Sequence, residues 1–231
     1  VDPSLITASK LTTMKAGPNY IKNSVATVAA LQLLPVDYYT LTNASQFVIK
    51  TGDHSGTVTI RADSAKFLSD ANTLVANYVL PLIITGADAD SVPNLLKSNV
   101  IGVKYENMLF GNYWHGGVTT VDSSGTLLTP IVYYTTFNVD APWVLKTVGP
   151  FDLTANGYSN VLSGAKQEMQ LTLNGGNITI SSVAGSTFTI LQDQACTFNQ
   201  AKLLQDRKIF LSYKYVNAKG VPLIIGSTYV E

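Results

Sequence analysis

The stretch Met169-Gln170-Leu171-Thr172-Leu173-Asn174-Gly175-Gly176-Asn177-Ile178-Thr179-Ile180-Ser181 decides what kind of fold this chain makes. Two short runs rich in β-branched and aliphatic residues flank Asn174-Gly175-Gly176, a tight hairpin connection. Working outward, further strand-forming runs recur at short spacing. Val118-Thr119-Thr120-Val121 leads into the turn Asp122-Ser123-Ser124-Gly125, and Leu127 to Phe137 follows as a long strand broken only at Pro130. Val144 to Val148, Thr187 to Ile190 and Ile209 to Tyr215 continue the series. Evenly spaced strands with turn signals between them predict an all-β antiparallel domain, a barrel or a sandwich.

Composition agrees with that class. Hydrophobic residues make up 46% of the 231 positions and charged residues only 13%, so the chain carries ample apolar material for packed cores and should be ordered through most of its length. The formal net charge is zero, and no dense Lys/Arg cluster supplies the field that attracts nucleic acid. Nucleic acid is therefore excluded as an expected partner. The longest apolar run, Tyr78 to Ile84, is far shorter than the ~20 residues that cross a bilayer and reads as a strand covered on both faces. Cys196 is the only cysteine and is read as a small buried thiol.

The first half is less regular. Leu5 to Met14 reads as extended, and Asn23-Ser24 followed by Val25 to Leu34 reads as a capped apolar helix stopped by Pro35. Tyr38 to Leu41 and Gln46 to Ile49 are strand candidates. Gly52-Asp53-His54-Ser55-Gly56 separates Phe47-Val48-Ile49 from the alternating Thr57 to Arg61, predicting a hairpin there. A short helical turn over Ser64 to Leu74 and a last strand, Val100 to Tyr105, complete this half. The aromatic and glycine-rich run Tyr105 to Val118 then reads as a joint, dividing the chain into domains 1–107 and 108–231. Tyr105, Leu109 and Phe110 are expected to pack the two together.

Several segments together resemble a known family. Val1-Asp2-Pro3-Ser4-Leu5, Leu33-Leu34-Pro35-Val36-Asp37-Tyr38-Tyr39-Thr40-Leu41, the Phe47 to Ile60 region, Tyr78-Val79-Leu80-Pro81-Leu82 and Val103-Lys104-Tyr105 resemble a Bacteroidetes family of exported lipoproteins known as domain of unknown function 1735. The second half, from Gly111-Asn112-Tyr113 to Lys208 through Tyr215, resembles the C-terminal domain of unknown function 4361 that often follows it. The resemblance implies an immunoglobulin-like first domain, here lacking its earliest strands. It also implies a cell-envelope location, on the outer-membrane surface or in the periplasm, through an upstream lipid anchor, in a glycan-uptake setting. It carries over no catalytic residues.

The residues themselves offer no reaction. There is no Gly-x-Ser-x-Gly elbow, no phosphate-cradling glycine pattern, and the two histidines, His54 and His115, lie far from each other and from Cys196 in sequence, so no zinc set forms. Asp152, Glu168, Asp193 and Asp206 show no spacing that singles out a glycosidase pair, and Asp88-Ala89-Asp90 is too small a set of oxygens for calcium. The chain is expected to be non-enzymatic, with no cofactor and no metal. What remains is aromatic. A sugar ring offers an apolar C–H face to a flat indole or phenol and hydroxyls to neighbouring amides. Asn112, Tyr113, Trp114 and His115, with Tyr134 and Trp143, are the candidate ligand contacts, although packing is the commoner use of such a set. A polysaccharide or a surface protein is the expected partner; the alternative is a structural or adhesive spacer.

Overall fold

A computed structural model describes residues 1–88, 91–121, 131–133, 141–156, 168–186, 189–216 and 222–230. The chain divides into two compact units, Val1–Tyr105 and Glu106–Glu231. It is predominantly β.

The first unit begins with two short helices, α1 (Ala8–Lys15) and α2 (Asn19–Ser24), where an extended segment and then a cap were expected. Thr7 supplies what α1 needs: its hydroxyl oxygen accepts the Lys10 amide at 3.0 Å, satisfying one orphan donor of the first turn. Residues 25–34 are not a helix. The Val28 carbonyl, which a helix would commit to the residue 32 amide, accepts instead from Lys15 Nζ at 2.8 Å, while the Gln32 amide donates to Asn77 O at 2.8 Å. Strand pairing took the backbone groups that a helix required. The result is β1 (Gln32–Leu33), parallel to the start of β4 (Tyr78–Ile83), with Leu34 N–H donating to Val79 O beyond it.

β2 (Tyr39–Leu41) pairs antiparallel with β3 (Ile60–Ala62), α3 (Ser64–Ser69) follows, and β5 (Ser98–Val103) completes the β1-β4-β5 sheet. β4 divides two cores. Val79 joins Leu11, Val25, Val28, Leu31 and Ala76 on one face, and Tyr78 joins Leu34 and Phe67 on the other, as continuous apolarity along the strand implies. Asp70 ties the second core down: its Oδ2 accepts from Tyr78 Oη at 2.7 Å and from Tyr38 Oη at 3.1 Å, and its Oδ1 from the Asn72 amide. Burial raises the Asp70 pKa, but these donors outweigh it and hold the carboxyl below its usual value. The same contact pushes the Tyr78 phenol up to about 12.

The hairpin expected between Phe47–Ile49 and Thr57–Arg61 is displaced. The ladder instead runs Tyr39↔Ala62 to Leu41↔Ile60 and ends where Thr42 N–H donates to Thr59 O. Asn43 explains the departure, because its Oδ1 accepts the amides of Ser45 and Gln46 and turns the chain out of the ladder. Residues 43–58 thus form a mostly exposed loop beyond the ladder.

The second unit holds β6 (Gly111–Val121), β7 (Ile131–Tyr133), β8 (Ala141–Thr147), β9 (Asp152–Asn156), β10 (Glu168–Asn174), β11 (Asn177–Ser182), β12 (Thr189–Gln192), β13 (Cys196–Phe198), β14 (Ile209–Val216) and β15 (Pro222–Val230) in one antiparallel sheet. The path β14-β13-β11-β10-β9-β8-β6-β15 returns to β14 through a long β14–β15 pairing. The sheet wraps its own core. Alternate side chains face inward: Leu145 from β8, Leu153 from β9, Met169 and Leu171 from β10, Ile178 and Ile180 from β11, and Ile209, Leu211, Tyr213 and Tyr215 from β14. The hairpin at Gly175-Gly176 is present, with Gly175 at φ +60°, a backbone state that glycine enters without a Cβ penalty. The expected strand across residues 127–137 is seen at Ile131–Tyr133, its remainder lying outside the described residues.

Candidate functional site

The candidate residues sit on the first strand of the second unit, and Asn107 fixes where that strand starts. Nearly buried, it donates from its amide to Thr147 Oγ1 and from Nδ2 to Pro150 O, and its Oδ1 accepts the Leu109 amide, each at 3.0 Å. Leu109 is fully buried in the core of this unit, Phe110 is partly exposed, and Tyr105 packs beside Leu34, Phe67 and Tyr78 in the first unit. Gly111, at φ +148°, then opens β6 with Leu204 against it.

From there the two-residue period of a strand divides the candidates. Tyr113 and His115 point inward, opposite Trp143 and Ala141 of β8. Tyr113 Oη donates to Leu109 O at 3.1 Å; burial raises its pKa, partly offset by the Arg207 guanidinium nearby. Trp143 is 5% exposed, and its indole N–H donates to Asn156 O. The His115 ring, 1% exposed, lies 5.3 Å from the Trp143 ring, centroid to centroid. Burial pushes its pKa down to about 4, so the imidazole is neutral near pH 7. These three aromatic rings belong to the core.

Asn112 and Trp114 face the other way. Trp114 stands opposite Pro142 and Asn112 opposite Val144, all on the outer surface of the sheet, with Trp114 38% exposed and Val144 43% exposed. The structure therefore brings Asn112 and Trp114 together on one face and separates them from Tyr113, His115 and Trp143. Tyr134 lies outside the described residues. Outward-facing Pro142 and Val144 were not singled out from sequence, although alternation around inward Trp143 would have found them.

Asp152, Asp193 and Cys196 make structural contacts within the second unit. Asp152 Oδ1 accepts from Gln170 Nε2 at 2.9 Å and from Thr172 Oγ1 at 2.6 Å, and Asp193 pairs with Lys214 at 3.2 Å. Cys196 is buried, its Sγ accepting the Ser212 amide at 3.1 Å, and burial raises the thiol pKa. Among the described residues no three His, Cys, Asp or Glu side chains gather as metal ligands. Asp90, part of the Asp88-Ala89-Asp90 set, lies outside the described residues. No described helix is long and apolar enough to cross a membrane.

Fold and surface together define a two-unit, predominantly β protein with an aromatic-bearing outer sheet face. Residues 1–91 match a family model described as "-like, N-terminal domain". No curated protein matches the chain. Among solved structures, a Bacteroides ovatus protein of unknown function is 22% identical and aligns over 87% of this chain and 71% of its own with a TM-score of 0.66, a likeness of fold. Two others align more loosely. A multidomain Bacteroides ovatus protein including DUF1735 is 11% identical over 98% of this chain and 77% of its own, with a TM-score of 0.44. An auxiliary nutrient binding protein from Bacteroides thetaiotaomicron is 14% identical over 92% and 74%, with a TM-score of 0.42.

Proposed function

We propose that this chain is a non-catalytic cell-envelope module that binds glycan, or another surface ligand, on the outer face of β6 and β8. The observation that carries the reading is Trp114, a large indole left 38% exposed on a strand whose other aromatics are buried. The indole offers a flat apolar face for a sugar ring, Pro142 and Val144 extend that face, and Asn112 supplies an amide donor and acceptor for ring hydroxyls. Tyr134 remains a further proposed contact. The location proposed is the outer-membrane surface or the periplasm, held by a lipid anchor upstream of Val1, in a polysaccharide-uptake setting.

A glycan array followed by calorimetry with the polysaccharides retained on it tests the reading. Wild-type protein is expected to bind, and Trp114→Ala to weaken binding by about tenfold, roughly 1.4 kcal/mol, with the unfolding midpoint little changed. Absence of binding to every polysaccharide tested would sink it. The burial of Trp143 favours a second reading, a structural or adhesive spacer whose aromatics serve packing. On that reading Trp114→Ala alters no glycan affinity.

A further inference from the structure

The wall of the second unit is closed in two different ways. Along β10 and β11 a backbone ladder runs unbroken from Met169↔Ser182 to Asn174↔Asn177, and along β12 and β14 another runs from Thr189↔Val216 to Gln192↔Tyr213. β11 and β12 also lie side by side, but among the described residues no backbone hydrogen bond joins them. Side chains close the gap instead. The Ser182 hydroxyl accepts the Ile190 amide at 2.6 Å and donates to Ile190 O at 3.1 Å, standing in for a ladder partner. Gln192 Oε1 accepts the Ile180 amide at 3.1 Å, while its Nε2 donates to Gln194 O at 2.9 Å. Both side chains are only partly buried, so water competes for the bonds they make. Holding the gap shut also fixes their rotamers, a cost that a backbone ladder does not carry.

We propose that the junction of β11 and β12 is a latch, held by Ser182 and Gln192, which opens as a local fluctuation while the backbone ladders on either side stay intact. Ile178, Ile180 and Ile190 belong to the core that the junction covers, and so does Cys196. Cys196 stands opposite Ile178, where the edge of β11 passes from β13 to β12, and it is only 2% exposed in the closed form. Parting the two strands uncovers it from that side. The thiol is therefore gated by the latch, and the route by which a reagent reaches it is this opening rather than unfolding of the whole unit.

Alkylation of the full chain by iodoacetamide, at about pH 8 where part of an exposed thiol is thiolate, reads the opening as urea is raised from zero. Cys196 is the single cysteine, so the signal has one source. A local opening exposes little surface, and the wild-type rate is expected to stay nearly flat at low urea before the steep rise that marks global unfolding. S182A removes two hydrogen bonds and should raise the flat rate by about tenfold. Q192A runs the same test through the Ile180 amide and should raise it too, whereas S181A, at an exposed position on the same strand, should leave it unchanged. Tryptophan fluorescence in urea confirms that each variant is folded. A wild-type rate that tracks global unfolding at every urea concentration, or a flat rate that neither S182A nor Q192A raises above that of S181A, would overturn the latch.

Discussion

Replacing Leu171 with alanine lowers the stability of the second unit by about 3 kcal/mol. Leu171 is fully buried on the inner face of β10, directly opposite Leu153 of β9 and Ile180 of β11, both of which are themselves buried. Truncation removes the apolar atoms from a row that spans three strands and leaves a void that the flanking ladders prevent from collapsing. Tryptophan fluorescence isolates the effect, because both tryptophans of the chain, Trp114 and Trp143, belong to this unit. With a urea slope of about 1–2 kcal/mol per molar, the midpoint should fall by roughly 2 M. Thr179→Ala, at an exposed position on the opposite face of the neighbouring strand β11, should change stability by less than about 0.5 kcal/mol. Equal effects at the two positions would mean that the inner face of the sheet is not the core.

That contrast between faces was largely legible in the sequence, because a strand writes its burial at every second residue. Leu171, Leu173, Ile178 and Ile180 stand out from the polar residues between them, and Gly175-Gly176 marks the turn. β9 and β13 were not legible for the same physical reason in reverse. Asp152-Leu153-Thr154-Ala155-Asn156 buries only two side chains, and Cys196-Thr197-Phe198 is three residues long, so neither gives a period enough repeats to be seen. In the first unit the decisive contacts are distant in sequence. Nothing near Val28 announces that Lys15 will take its carbonyl, or that Asn77 will take the amide of Gln32, and those contacts replace the helix that local propensity favours.

The candidate site was half legible. Aromatic clustering at Tyr113, Trp114 and His115 located the right strand, but a cluster on consecutive strand positions cannot share a face. Applied to β6, alternation assigns Tyr113 and His115 to one side and Asn112 and Trp114 to the other. Which side is the core is settled by Leu109 and Trp143, which join the inward set. The sequence thus holds the division but not its sign.

The sign has a measurable consequence at His115. Its pKa lies at about 4 in the fold because burial disfavours the imidazolium, against an ordinary value of 6.5 for the unfolded chain. Between those two values the unfolded state binds the proton more readily than the native state does, so stability must fall as pH falls. The contribution is present in full above pH 6.5 and is lost as pH drops to about 4. From the two pKa values, lowering pH from about 7.5 to about 5 should cost the second unit about 2 kcal/mol from this residue alone. Urea unfolding followed by tryptophan fluorescence at both pH values measures the difference. His115→Leu keeps an apolar side chain at the position and removes the titration; whatever it does to stability at pH 7.5, it should flatten the dependence between the two pH values by about that amount. A variant that keeps the wild-type slope would show that another group carries it, and that the His115 imidazole is solvated enough to accept a proton in the folded chain.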